Sequence, residues 1–370
     1  YEAVRSSWMD RTDVVVDVGM KDSKETHTQN HAIGASSSRH ELHTVTSKSL
    51  KSTEINKLYI ETLQPITHYD ENAKSVVFVQ GRIGRSGEKI SSYKLDGYLE
   101  PARPAGTFIR HDKQTDTKES LGMNANIGIG YRRLSKGEHA YVGVNAFYDH
   151  VFKGGYKRVS GGVEYVAGLN EFHANLYRNL GTDDRKYIGL HGRSVVLGDP
   201  AGLYPYGMDP DQSLYNYGIA AYENHWMLSE KVAASGFDVG YSRTFKNARW
   251  ARVYADYYNW RGRSAVRVGY YKLKKRDAIK GFKVGAEFHI TPHLTLDAGY
   301  QTASHHLSGP YATLKYTIGT SKFAWRGGKH SESAITTARS KMLDKVHRSD
   351  MVVQETVENI YEQQFVDVGL

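Results

Sequence analysis

The chain contains repeated stretches in which apolar and polar residues alternate with a period of two. In ANIGIGYRRL, residues 125–134, Ile127 and Ile129 alternate with Asn126 and Gly128. This period predicts a β-strand with one apolar and one polar face. Both a soluble β-sandwich and a transmembrane β-barrel use such strands, so one segment does not decide between them.

Twelve segments of this kind follow one another along the chain. They are residues 13–20, 57–65, 75–84, 125–134, 139–150, 156–166, 171–177, 236–243, 251–258, 282–289, 294–300 and 311–319. Their polar faces carry Lys, Arg, Asp and Glu as well as Ser and Thr. The pattern therefore predicts an all-β protein of twelve antiparallel strands.

The connections between these strands alternate in length. The short ones include residues 135–138, 168–170 and 291–293, and the long ones are residues 21–53, 86–121 and 181–233. Short turns at one rim and long loops at the other are typical of outer-membrane barrels. An even number of strands then places both ends of the barrel on the periplasmic side and the long loops outside the cell.

Residues 265–273 (AVRVGYYKL) also alternate and could form a thirteenth strand. A thirteenth strand would move the tight turn at 291–293 to the rim that carries the long loops. We therefore interpret this segment as an extension of the ninth strand beyond the membrane.

The composition fits a barrel better than a helical membrane protein. The 370 residues include 27 Tyr, 36 Gly and only 8 Pro, and the mean hydropathy is −0.57. No run of 18 apolar residues is present, which excludes a transmembrane helix. A barrel strand needs only half of its residues to be apolar, and its aromatic girdles use Tyr.

A membrane barrel assigns the two faces of each strand. The apolar faces contact lipid, where a Lys or Arg at mid-bilayer would cost roughly 2–4 kcal/mol. The polar faces line a watery lumen. The predicted lumen-facing residues are Asn126, Gly128, Arg132, Gly143, Asn145, Asp149, Arg158, Glu164, Asp238, Lys283 and Glu287.

The alternation stops after Gly319. Residues 331–346 (SESAITTARSKMLDKV) show no period of two, and within them residues 331–340 have an N-capping Ser followed by helix formers, which predicts a short helix. The following residues, 344–357, have an extended and polar pattern. This C-terminal region starts in the periplasm and either stays there or runs back through the lumen.

The strands from Ala125 to Tyr165 and the C-terminal stretch SAITTARSKMLDKVHRSDMVV resemble the inverse autotransporter β-domain of the intimin and invasin family. The resemblance implies a twelve-stranded outer-membrane barrel and a linker with a short helix that threads the lumen. It further implies a passenger of immunoglobulin-like adhesin domains, and the barrel-assembly machinery and periplasmic chaperones as partners. The implied linker residues are Ala334, Thr337, Arg339, Met342, Leu343, Asp344, Arg348, Met351 and Val352.

Together these observations predict four regions. Residues 1–12 are a periplasmic lead-in, 13–319 the barrel, 320–354 the linker through the lumen, and 355–370 the start of an exported passenger or tail. The predicted function is an outer-membrane translocator that displays a passenger for adhesion to host cells. The alternatives are a pore or adhesin that acts through its long loops, and a soluble carbohydrate-binding β-sandwich.

Other chemistry is weakly supported by the sequence. The net charge of +9 is spread along the chain, which favours contact with outer-membrane lipids and lipopolysaccharide over nucleic acid. There is no Cys; the stretch from Met208 to Ser213 lacks the Gly and Glu of a calcium loop; and no G-x-S-x-G motif is present. We therefore predict no enzyme activity, metal or cofactor.

One long loop is a candidate binding surface, because exposed aromatic residues suit recognition. The loop spans residues 202–226, and its candidate contact residues are Tyr204, Tyr206, Tyr215, Tyr217 and Trp226. It could bind a host receptor, or it could fold over the mouth of the barrel.

Overall fold

The structure is a computed structural model of the 370-residue chain. It describes residue 8 and residues 11–33, 44–102, 107–153, 156–180, 185–196, 218–231, 235–262, 264, 266–268, 271–273, 275–304, 308–318 and 338–368. No helix within these ranges is both long enough and apolar enough to cross a membrane.

The described chain is built almost entirely of β-strands. They are β1 (Thr12–Ile33), β2 (Thr44–Pro65), β3 (Ser75–Arg85), β4 (Glu88–Ala102), β5 (Thr107–Ser120), β6 (Met123–Leu134), β7 (Ala140–Val151), β8 (Tyr156–Ala167), β9 (Asn170–Asn179), β10 (Arg185–Val196), β11 (Gly218–Lys231), β12 (Gly236–Phe245), β13 (Ala248–Trp260), β14 (Val266–Val268), β15 (Tyr271–Leu273), β16 (Ile279–His289), β17 (Leu294–Gln301), β18 (Gly309–Ile318) and β19 (Met351–Val368). A single turn of 3-10 helix covers Ala338–Lys341.

Twelve of these strands close into an antiparallel barrel. The pairing runs β1–β2–β3–β6–β7–β8–β9–β12–β13–β16–β17–β18. The ring closes where β18 pairs with β1, with Val16 opposite Tyr316. Closure leaves the barrel without an unpaired edge. The prediction of a twelve-stranded antiparallel barrel is confirmed, and each predicted segment overlaps one of these strands.

The connections differ at the two ends of the barrel. At one end, here called the short-turn rim, tight turns such as residues 135–139 and 246–247 join the strands. At the other end, the hairpin rim, β4 pairs with β5 and β10 pairs with β11. β1 and β2 also continue past the barrel as a paired ribbon, with His27 opposite Thr46.

The described residues of the three long connections are therefore largely β-structure, where the sequence predicted loops. The alternation that reveals a strand arises because one face is apolar and the other is polar. Residues 47–53 (SKSLKST) have polar side chains at both parities. Strands of this kind give no two-residue hydrophobic signal, so the pattern could not show them.

The interpretation of residues 265–273 as an extension of the ninth strand is wrong. That strand, β13, ends at Trp260, and Val266–Val268 pairs instead with Tyr271–Leu273 in a separate two-stranded sheet. Only two residues separate these strands in the sequence, a spacing that is typical of a β-hairpin. The alternation was real, but it belongs to a short hairpin and not to the barrel.

Candidate functional site

The two faces of the barrel sheet have opposite character. One face carries exposed apolar side chains, such as Leu176 (70% exposed) and Ile127 (63%). The other face carries polar side chains that are buried, such as Arg132 (0%) and Asn175 (3%). In a closed sheet the exposed face is the outer one, so the polar side chains point inward. This polar inner face is the candidate site.

Residues 338–353, here called the tail segment, pack against the inner face. Arg132 of β6 donates to the backbone oxygens of Met342 (2.8 Å) and Asp344 (2.6 Å). The same guanidinium donates to Glu164 of β8 (3.2 Å) and lies 4.5 Å from the centre of the Phe78 ring. Its buried charge is thereby neutralised, and the guanidinium donates four hydrogen bonds in all.

A second arginine holds the tail segment further along. Arg158 of β8 donates to the backbone oxygens of Ser349 (2.7 Å) and Met351 (3.0 Å), and Asp149 balances its charge at 3.1 Å. Asn175 of β9 donates to the backbone oxygen of His347 at 3.0 Å. These barrel side chains bind backbone carbonyl oxygens of the tail segment. Every residue has such an oxygen, so these contacts do not depend on the side chains of the tail segment.

Backbone N–H groups of the tail segment also find partners on the inner face. The N–H of Val346 donates to the Gln80 side chain (2.9 Å), and that of Ser349 donates to the Tyr177 hydroxyl (2.7 Å). A buried backbone group without a partner would cost free energy. The inner face therefore supplies polar side chains that satisfy the main chain of the tail segment.

Ion pairs fix the side chains of the tail segment. Arg348 forms two 2.6 Å hydrogen bonds with the carboxylate of Asp149. Asp350 pairs with Arg82 of β3 at 2.6 Å, and Lys345 pairs with Asp13 of β1 at 2.9 Å. Because these pairs are buried or half-buried, water screens them less than surface pairs. They therefore favour one register of the tail segment relative to the barrel strands.

Apolar contacts anchor both ends of the tail segment. Near the short-turn rim, Ala338, Met342, Leu343 and Val346 join a buried cluster with strand residues such as Phe78. Towards the hairpin rim, Met351 and Val353 pack in a second cluster, which contains Tyr177 and Trp260. Residues 344–350, which make most of the polar contacts described above, run from the first cluster to the second.

At the short-turn rim, Arg339 connects the tail segment to two turns. Its guanidinium donates to both carboxylate oxygens of Glu138 (2.8 and 3.1 Å) and to the backbone oxygen of Ala73 (2.8 Å). Tyr69 donates its hydroxyl to the backbone oxygen of Arg339 at 3.0 Å. The hydrogen bonds from Arg339 and Lys74 lower the pKa of Glu138 to about 2.

This pKa shift predicts a pH dependence. Because the pKa of Glu138 lies below its ordinary value of 4.5, the Arg339 contact stabilises the folded state above that value. The contribution is lost as the pH falls from about 4.5 towards about 2. We expect Glu138→Gln to lower the free energy of unfolding modestly at pH 7 and to have no effect below pH ~2. Denaturant titrations of both proteins in detergent across this range check the expectation, and an equal loss at every pH would contradict it.

The predicted lumen-facing residues divide by what they touch. Arg132, Asp149 and Arg158 contact the tail segment directly. Glu164 and Asp238 hold those contacts in place, since Glu164 pairs with Arg132 and Asp238 accepts from Asn175 at 2.8 Å. The other members of the set are Asn126, Gly128, Gly143, Asn145, Lys283 and Glu287.

Two members of this set contact side chains of the opposite barrel wall. Glu287 pairs with Arg252 at 3.1 Å, and Lys283 lies 4.9 Å from the centre of the Tyr311 ring.

Gly128, another predicted lumen-facing residue, is a glycine because its neighbours pack closely against it. A Cβ there would collide with the Phe147 ring, which itself stacks under Arg348.

The predicted linker residues from Arg339 onward lie in the tail segment, namely Arg339, Met342, Leu343, Asp344, Arg348, Met351 and Val352. Ala334 and Thr337 lie outside the described residues. The short helix was predicted for residues 331–340; of these, 331–337 lie outside the described residues, and the structure has a 3-10 turn at Ala338–Lys341. Such turns are short because their hydrogen bonds are poorly aligned.

The candidate surface loop can be placed only in part. Tyr204, Tyr206, Tyr215 and Tyr217 lie outside the described residues. Trp226 lies in β11, where the backbone pairs on both sides, and not in a loop as predicted. In β10 and β11, apolar and polar residues are mixed at both odd and even positions, so no two-residue period marked these segments as strands.

Several residues of the site were missed. Gln80, Arg82, Asn175 and Tyr177 all contact the tail segment but were not among the predicted residues. Each stands at an inward position of its strand, so the alternation would have identified them. Glu138 follows no such pattern because it lies in a turn, and only the tertiary structure brings it to Arg339.

Comparison with known proteins decides the family. The inverse autotransporter, beta-domain family matches residues 108–350, which is more than half of the chain. The chain belongs to the inverse autotransporter β-domain family. Members are outer-membrane β-barrel translocators, and the structure described above has that architecture. The comparison with curated proteins gives no match.

The comparison with solved structures finds several that are similar to this chain at low sequence identity. A membrane protein from a study of in-meso crystallization is 14% identical, with coverage of 91% of this chain and 99% of that one and a TM-score of 0.48. The translocator domain of autotransporter NalP from Neisseria meningitidis is 9% identical, with coverage of 82% and 88% and a TM-score of 0.24. The beta domain of the Bordetella autotransporter BrkA is 8% identical, with coverage of 81% and 98% and a TM-score of 0.22.

Proposed function

We propose that this inverse autotransporter barrel exports its own C-terminal region through the lumen and displays a passenger on the cell surface. The observation that carries the proposal is the set of hydrogen bonds from Arg132 and Arg158 to backbone oxygens within residues 342–351. The tail segment touches short turns at Arg339, and Met351 pairs with Glu88, the first residue of β4 at the hairpin rim. It therefore has one end at each rim.

The arrangement suits a chain that is threaded and then held. Contacts to the main chain accept any sequence that passes, because every residue presents a backbone carbonyl. Ion pairs such as Arg348 with Asp149 act only when the correct residue arrives. Main-chain contacts thus permit passage, and charged contacts stop the chain in one register.

In this proposal the short-turn rim faces the periplasm and the hairpin rim faces the outside. The barrel-assembly machinery and periplasmic chaperones would insert the barrel among outer-membrane lipids and lipopolysaccharide, as the family resemblance implies. The resemblance extends the proposal to adhesion, through a passenger that binds a host receptor. The energy for export would come from folding of the passenger outside, since no nucleotide is available there.

An epitope tag after Leu370 tests the proposal. Cells express the chain with a signal peptide and are probed with antibody before and after permeabilisation. We expect labelling of intact cells. A matched control carries the tag in the exposed turn at Lys136 of the short-turn rim, where labelling should require permeabilisation. Labelling of the C-terminal tag only after permeabilisation would favour a pore or loop adhesin that exports nothing.

A further inference from the structure

The strand that continues from the tail segment is paired on both of its edges. Residues 351–359 of β19 run parallel to β4, with Thr356 opposite Tyr93. Residues 354–368 run antiparallel to β11, with Val357 opposite Leu228. β4 and β11 belong to two different long hairpins, so β19 lies between them as a central strand.

The pairings beyond the barrel form one continuous sheet. The order is β2–β1–β5–β4–β19–β11–β10, in which the outer halves of β1 and β2 take part. Within the described part of the chain, β19 alone joins β4 to β11. Without it the sheet would divide into a four-stranded ribbon and the β10–β11 hairpin.

Such a division would expose two complementary strand edges. An unpaired edge presents a row of backbone N–H and C=O groups and accepts an added extended strand. A chain that leaves the barrel in extended form carries the same unpaired groups on both of its sides. The two edges stand at the hairpin rim, where residue 351 already pairs with Glu88 at the start of β4.

We propose that β4 and β11 form a cleft that captures residues 351–368 by β-augmentation as they emerge. The inference rests on the proposed export function and adds a receiving site for the exported chain. Recognition is through the main chain, and the occupant is this segment of the same chain. Capture satisfies the backbone groups of the emerging strand on two sides, which opposes sliding back through the barrel before any passenger has folded.

Paired cysteines test this cleft, because the chain has no cysteine of its own. Opposed residues of antiparallel strands have Cα atoms about 4.5–5.5 Å apart, a separation that a disulfide can span. We expect Leu228→Cys with Val357→Cys to form an intramolecular disulfide in intact cells that carry the tag after Leu370. Tyr93→Cys with Thr356→Cys tests the parallel ladder independently.

The matched control pairs Val357→Cys with Ser229→Cys. Ser229 is opposite Thr356, so its position belongs to the other face of the sheet. Conversion of most of the chain to a reducible, faster-migrating band in both test pairs, with little in the control, is the expected result. Surface labelling of the tag without either disulfide, in barrels that keep their folded migration on gels, would overturn the capture cleft and leave export intact. A tag that stays inside would instead overturn export.

Discussion

Removal of residues 338–368 is expected to turn the barrel into an open ion-conducting pore. The tail segment satisfies inward side chains such as Arg132, Arg158 and Asn175 along the inner face. Once it is absent, these charged and polar groups would be hydrated by water that fills the lumen. Planar-bilayer recordings should show large, long-lived conductance steps for the truncated protein and few or none for the full chain.

A second truncation makes this measurement specific. Removal of 354–368 alone leaves Arg339, Arg348 and their partners in place. We expect this protein to stay nearly as closed as the full chain, because the hydrogen bonds and ion pairs of residues 338–353 are retained. Equal conductance of the full chain and the protein lacking 338–368 would contradict a tail segment that fills the lumen.

The substitution Arg132→Met is expected to destabilise the folded barrel severely. It would leave the carboxylate of Glu164 buried without its charge partner and the oxygens of Met342 and Asp344 without a donor. Loss of one partner of a buried ion pair typically costs about 3–5 kcal/mol. Equilibrium unfolding in detergent or liposomes measures the change.

The neighbouring residue provides the control. Arg133 lies on the exposed outer face next to Arg132, so Arg133→Met removes the same charge without opening a buried network. We expect a change within about 0.5 kcal/mol there. The double variant Arg132→Met with Glu164→Gln should recover part of the loss, because no charge remains buried alone. Similar losses for Arg132→Met and Arg133→Met would show that the inner network contributes little.

The barrel could be predicted from the sequence because the membrane imposes the pattern. A strand between lipid and a polar interior must alternate, and Ile127 and Asn126 stand on opposite faces for that reason. The same rule marked Arg132, Asp149 and Arg158 as inward residues. The alternation identifies a strand wherever one of its faces is apolar, and it predicted the number of barrel strands.

The rule fails where neither face meets lipid. The hairpins β4–β5 and β10–β11 carry polar residues on both faces, so their strands were predicted as loops. The pairing of individual inward residues with individual residues of the tail segment could not be predicted either. Arg82 with Asp350, and Glu138 with Arg339, are separated by hundreds of residues, and charge alone does not choose between many possible pairs.

Cysteine labelling with a membrane-impermeant maleimide tests the central claim most directly. One protein carries a cysteine after Leu370, and a second carries Lys136→Cys in the exposed turn of the short-turn rim. The account predicts that intact cells label the first protein and not the second, while lysed cells label both. Labelling of both cysteines in intact cells, or of neither, would place the C-terminal region and the short turns on the same side of the membrane and contradict a chain that crosses the barrel.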